Sequence, residues 1–185
     1  MNWIHNMDME VLHLIEKLRS EFLDVVMRII TTLGDIGFIW IVISLLLFST
    51  KKYRRIGLIS LVALLIGAIF TDVFLKHMFS RERPYTYIEG YKLLIKEQST
   101  FSFPSGHTTS SFASASVIAY YLKRIRIPIL ILAFLMAFSR LYLFVHFPTD
   151  ILGGLIVGLI AARLAPIVVG LVEELVKRKI NNSYN

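Results

Sequence analysis

The chain has 185 residues, 56% of them hydrophobic, with no cysteine and a formal net charge of +7. So much apolar surface on so short a chain points away from a soluble domain and toward a small integral membrane protein. The missing cysteine excludes a disulfide framework, a thiol nucleophile and a Cys-built metal site. The positive charge does not read as a nucleic-acid surface, because the basic residues fall in short clusters between apolar runs, as in cytoplasmic loops.

Residues 2–31 place Val11, Leu14, Ile15, Leu18, Phe22, Val25, Val26 and Ile29 at steps of three and four, one face of a helix. The opposite face carries Glu10, Glu16, Lys17, Arg19, Glu21, Asp24 and Arg28, too many charges for a span, and the segment lacks the continuous apolar core of a cleavable signal peptide. An amphipathic helix is expected here, broken near Ser20 and lying at the membrane interface or simply packed on the bundle. Five apolar runs follow, about 33–50, 56–75, 108–122, 127–145 and 150–172. Each is near the ~20 residues that a ~30 Å hydrocarbon core requires, the third being short. Arg163 and Pro166 interrupt the last run, and Arg163 is expected to snorkel to the interface or to pair within the bundle. The expected fold is an all-α integral membrane protein, a bundle of about five transmembrane helices plus an N-terminal amphipathic interfacial helix. It forms one domain: 1–31 is the N-terminal helix, 33–173 the transmembrane core and 174–185 a cytoplasmic tail.

The clusters KKYRR (51–55), KRIR (123–126) and KRK (177–179) follow the first, third and fifth runs. Alternation puts all three on one side, which the positive-inside rule makes cytoplasmic. The connection 76–107 and the short turn around His146 then face outward, and the polar residues that look out of place lie there. They are KHMFSRERPY with Lys76 and Arg83, PSGH at 104–107, and SRLYLFVHFPTD with Arg140, His146 and Asp150. Lys76, Arg83 and Arg140 are cationic donors suited to an oxyanion. Gly106 permits close backbone approach, and the helix after it offers its N-terminal amides. Pro148 suits a first helical turn, so Asp150 falls on the same helical face as His146, four residues on. A carboxylate there can hold one ring nitrogen and leave the other free to attack, with His107 as acid for the leaving group.

Each piece also has a plainer reading. Basic residues at span ends are commonly interfacial anchors, and Ser, Thr and Gly runs serve close helix packing, to which Thr108 to Ser111, Gly153, Gly154 and Gly158 are assigned. Asp72, one turn before Lys76, is a candidate structural partner for it, while His5, His13 and His77 have no evident companions. The convergence of three cations, two histidines and an aspartate on one face favours a site.

Lys76, six residues, Arg83-Pro84; then Pro104-Ser105-Gly106-His107; then Ser139-Arg140, five residues, His146, three residues and Asp150: this pattern resembles the three-part signature of the type 2 phosphatidic acid phosphatase superfamily, over about residues 70–155. The resemblance implies a lipid phosphatase. His146 would be a nucleophile forming a phosphohistidine, oriented by Asp150, and His107 an acid and then a base. Lys76, Arg83, Ser105, Gly106 and Arg140 would bind phosphate. It implies no metal and no other cofactor. Six-span members carry an additional first transmembrane helix, for which the N-terminal segment here is too charged. The expected setting is the cell membrane, multi-pass, with the site facing outside the cytoplasm, and the expected partners are the bilayer and a lipid phosphate rather than nucleic acid. Undecaprenyl diphosphate is the favoured substrate, ahead of phosphatidylglycerol phosphate, phosphatidic acid and lipid A phosphate. A transporter or flippase for anionic lipids, or a structural protein with a dead site, is the competing expectation.

Overall fold

In the computed structural model, which describes residues 3–183, the N-terminal segment breaks where Ser20 can cap a new helix. Helix α1 (Trp3–Glu16) ends in a turn, and α2 (Glu21–Leu33) begins with the Ser20 hydroxyl accepting from the Leu23 amide. Residues 1–2 of the expected N-terminal helix and 184–185 of the expected tail lie outside the described residues. Leu14, Leu18, Phe22, Val25 and Ile29 are exposed, as suits a lipid-facing stripe. Inward, α1 buries Asp8 and Leu12, the latter against Phe144 and Phe147. The segment is therefore packed on the bundle while its apolar stripe stays outside.

Gly34 and Gly37 break the chain where hydropathy alone continues, so the first apolar run is not one straight helix. A short 3-10 turn (Asp35–Gly37) puts Ile36 and Gly37 in the left-handed region, at φ 55° and 71°. That backbone is strained for a β-branched residue, and Ile36 stands 96% exposed at the bend. Helix α3 (Phe38–Ser49) leaves α2 at an angle of 49°, and only the two together have the length and apolar content to cross a membrane. Helix α4 (Arg54–Ala68) runs through a π-helix (Ile69–Leu75) into α5 (Lys76–Phe79). π segments are rare and gather at functional sites.

After a loop come α6 (Gly106–Tyr121), α7 (Arg126–Tyr142) and α8 (Pro148–Ser183). Helix α8 runs unbroken through Pro166, roughly 54 Å at ~1.5 Å per residue, so most of the expected tail is helical. Among the described residues three helices, or four with the bent α2–α3 pair, are long and apolar enough to cross a membrane. Helix α6 is shorter but sits centrally, against α4, α7 and α8, with Thr108, Ser111, Ala113, Ala115 and Ile118 among its buried residues. The all-α membrane bundle read from the sequence is borne out.

Small and hydroxyl side chains hold the centre. Trp40 Nε1 donates to Ser111 Oγ at 2.9 Å, and Ser60 Oγ lies within 2.8 Å of both Ser44 Oγ and Ser114 Oγ, tying α3, α4 and α6 together. A Cβ on Gly154 would fall 2.6 Å from the Ser105 carbonyl oxygen, and one on Gly158 would fall 2.7 Å from that of Thr109. Helices α6 and α8 thus meet backbone to backbone along one seam.

Candidate active site

His146 lies in the tight connection between α7 and α8. Phe144 adopts φ 60°, the Val145 amide returns to the Arg140 carbonyl at 3.2 Å, and Pro148 opens α8 with no amide to satisfy. Asp150, one turn into α8, is fully buried. Its Oδ2 accepts from the Phe147 amide at 2.8 Å and from Ser102 Oγ at 2.5 Å, and lies 3.5 Å from His146 Nδ1. Its Oδ1 accepts from Arg81 Nη1 at 2.8 Å. On the other edge of the ring, Arg83 Nη1 donates to His146 Nε2 at 3.2 Å. Arginine has only protons to give, so Nε2 is the acceptor and the ring proton of a neutral His146 sits on Nδ1, toward Asp150 and Ser102. Burial, then the nearby Arg83 and Arg140 guanidinium groups, hold the His146 imidazole well below the ordinary histidine range.

The three expected cations come from different elements. Lys76, at the end of the π-helix, pairs with Asp72 at 2.6 Å and donates to Thr100 Oγ1 at 3.2 Å. Arg83 donates to the Thr100 and Val145 carbonyls at 2.9 and 2.8 Å. Arg140 is 1% exposed, donates to Thr31 Oγ1 and to Gln98 Oε1 at 3.4 Å, and leaves its Nε without a partner. An unsatisfied buried donor on a cation marks a place where an acceptor is wanted.

The start of α6 supplies the rest. A Cβ on Gly106 would lie 3.9 Å from both Lys76 Nζ and Asp72 Oδ1, so the backbone passes close to that ion pair at the start of α6. His107 Nε2 lies 3.1 Å from both the Thr31 carbonyl and Asp35 Oδ1, which ties the ring to the bend between α2 and α3. Ser105 sits at the N-cap of α6. It is fully buried, and its hydroxyl caps α6, accepting from the Thr108 amide at 3.4 Å and from Thr108 Oγ1 at 3.0 Å. The Ser105 amide donates to the Asp150 carbonyl at 3.1 Å, locking this turn onto α8.

Lys76, Arg83, Gly106, His107, Arg140 and His146 line one cavity of about 640 Å³. Ser105 and Asp150 stand behind its wall. Away from the cations the cavity runs between α3 and α4, walled by Ile41, Leu61, Leu64 and Leu65. The arrangement offers an anion a cationic, amide-lined end and offers an apolar tail the other end. Among the described residues no three His, Asp or Glu side chains form a group able to hold a metal ion.

Several contributors escaped the sequence reading. Arg81 bridges Asp150 to Asp8 of α1, at 2.8 Å to each carboxylate, and lies 3.9 Å from the Phe147 ring centroid. Asp8 also accepts from the Thr149 amide and hydroxyl. Ser102, Thr100 and Asp35 bond the His146–Asp150 pair, the cations and His107 respectively. Arg81 was visible as a second arginine in SRERP, but no spacing rule tied it to Asp150, and Asp35 lay unremarked in GDIG. The solitary histidines do have neighbours: His5 lies against Tyr87 and Phe147, His13 pairs with Glu16 at 3.3 Å, and His77 bonds the Val73 carbonyl.

Residues 56–172 match the family model described as PAP2 superfamily. The chain is similar to undecaprenyl-diphosphatase of Sulfolobus acidocaldarius, 29% identical over 65% of this chain and 59% of that one. It is also similar to phosphatidylglycerophosphatase B of Bacillus subtilis, 34% identical over 77% and 73%. Among solved structures it resembles the transmembrane PAP2-type phosphatidylglycerolphosphate phosphatase from Bacillus subtilis. There the TM-score is 0.73 and identity 30%, over 94% of this chain and 88% of that one.

Proposed function

This chain belongs to the PAP2 superfamily, and on that premise we propose that it hydrolyses phosphate or diphosphate from a membrane lipid through a phosphohistidine. The observation that carries this reading is the single cavity in which Lys76, Arg83, Arg140, His107 and His146 meet at one end of an apolar channel. The lipid phosphate displaces Arg83 from His146 Nε2, and its oxygens take up the donors of Arg83, Lys76, the Gly106 amide and the unpartnered Arg140 Nε. Nε2 attacks phosphorus and the bond to the lipid oxygen breaks. His107 gives that oxygen its proton, while Asp150 balances the charge gained by His146. Water then attacks the phosphohistidine, His107 takes the water's proton, and phosphate leaves with His146 regenerated. Charge on the transferring group is stabilised by the fixed cations, so no metal is needed for that task. Asp35 orients His107 as Asp150 orients His146, giving two histidine–carboxylate pairs.

The favoured substrate is undecaprenyl diphosphate, ahead of phosphatidylglycerol phosphate, phosphatidic acid and lipid A phosphate. The relatives named for the first two substrates support both, and the cavity's apolar end between α3 and α4 suits a long tail. The site is read as facing outside the cytoplasm, since KKYRR, KRIR and KRK fall at the other end of the bundle.

The test is phosphate release from a panel of lipid phosphates in detergent with EDTA present. Wild type releases phosphate, His146→Ala loses at least about a thousandfold in rate, and Asp35→Asn lowers kcat with little change in KM. Full activity in His146→Ala, or activity only on adding a divalent ion, overturns the mechanism. A protein that merely carries anionic lipid releases no phosphate at all.

A further inference from the structure

A second cavity, also about 640 Å³, lies between the far ends of α6, α7 and α8. Arg126 and Arg163 line it together with Tyr120 and Tyr121, and Leu130, Leu159 and Pro166 supply apolar wall. It shares no residue with the cavity that holds His146. Arg126 opens α7, whose other end carries Arg140, so this cavity sits at the opposite end of the bundle.

Arg163 is the residue that needs explaining. It lies fifteen residues past Pro148 in α8, roughly 22 Å down the helix at ~1.5 Å per residue. That places it toward the far end of the apolar run, level with Arg126 of the basic KRIR cluster, where an exposed guanidinium without a carboxylate partner is suited to a headgroup anion. Among the described residues neither Arg163 nor Arg126 makes an ion pair, and no Asp or Glu lines the cavity. Further along α8, Glu173 is engaged by Arg55 of α4 at 3.2 Å. The bundle thus holds two arginines without internal counter-charge beside a groove with an apolar wall. Tyrosine hydroxyls there are further donors at a depth where aromatic residues meet headgroups.

We propose that this groove binds the phosphodiester headgroup of an anionic phospholipid of the leaflet opposite the candidate active site. Arg163 and Arg126 clamp the phosphate, and an acyl chain lies along Leu130, Leu159 and Pro166. Basic pockets between transmembrane helices recognise anionic headgroups in this way, and arginine's planar fork suits phosphate oxygens. The lipid would be a structural ligand, neither hydrolysed nor required for phosphate transfer.

The full chain in detergent is to be titrated with phosphatidylglycerol or phosphatidylcholine, with bound lipid counted by native mass spectrometry and thermal unfolding followed in parallel. Phosphatidylglycerol binds in preference and raises the melting temperature. Arg163→Gln and Arg126→Gln each weaken it about fivefold, whereas Arg140→Gln, in the other cavity, leaves this binding intact. Both groove variants keep wild-type phosphate release, so loss of lipid binding is read apart from any failure of the catalytic reading. Equal retention of the two lipids overturns the proposal, as does loss in Arg140→Gln but not in Arg163→Gln. Stabilisation by inorganic phosphate that equals the lipid's and is lost in Arg163→Gln but kept in Arg140→Gln would show a free-anion site in the groove instead.

Discussion

At the scale of single residues, the protein spends its charged side chains in pairs that leave one atom open. His146 has Nδ1 toward Asp150 and Ser102, and Nε2 on Arg83, whose proton any phosphoryl oxygen can claim. A consequence is testable by pH. Burial and the two arginines hold the His146 imidazole down, so the folded protein resists protonation where an unfolded chain titrates, at about 6.5. The stabilising contribution of the neutral ring is complete above that value and is lost as pH falls below it, toward the depressed folded pKa. Labelled-histidine NMR of the purified protein should show a neutral His146 ring at pH 6, and a ring titrating near 6.5 would contradict it. Residue by residue, the site was legible to unequal degrees. Lys76, Arg83, His107, Arg140 and His146 stood out because cations and imidazoles are expensive in apolar sequence. Ser105 is placed on phosphate by the family resemblance alone, and the structure adds that the same position is a helix N-cap whose hydroxyl accepts from the Thr108 amide. Asp8, Arg81 and Asp35 act only through tertiary approach, and no local pattern announces that.

At the scale of elements, the seam between α6 and α8 sets the geometry. Ser105 and Thr109 carbonyls, one turn apart, lie against Gly154 and Gly158, one turn apart. Those glycines were recognisable as packing residues, but their partner helix was not, because helix pairing is not written in either segment alone. Gly158→Leu should lower stability by about 1–3 kcal/mol through overpacking and slow phosphate release as α6 and α8 separate. Gly170→Leu, where an added Cβ meets nothing within 4 Å, is the matched control and should keep turnover with no loss of stability. Thermal melts and turnover of the two variants decide this, and an unaffected Gly158→Leu would remove the seam from the account. The bend at Asp35–Gly37 and the π-helix before Lys76 fall inside the apolar runs 33–50 and 56–75, so the run boundaries did not reveal them. Glycines at 34 and 37 hinted at the first. The second depends on an extra residue per turn that no side-chain pattern encodes.

At the scale of the whole molecule, the candidate site and the lysine- and arginine-rich turns occupy opposite ends of the bundle, so orientation is one binary question. A cysteine at Ile95 should react with an impermeant thiol reagent added to intact cells, while one at Ser49 should not, and the reverse pattern would put the site in the cytoplasm. Five apolar runs made a membrane bundle legible from the sequence. The role of α1 was not, since its lipid-facing stripe advertises the bilayer while Asp8, on the inner side, reaches Arg81 and through it Asp150. One further consequence follows from the seam of glycines. Because His107 opens α6 and His146 lies just before α8, two helices whose separation is set by main-chain contact, side chains elsewhere in the apolar interior can drift in size without moving the two imidazoles apart. Substitution should therefore be permissive across most of the bundle and severe at two residues that carry no chemistry, Gly154 and Gly158.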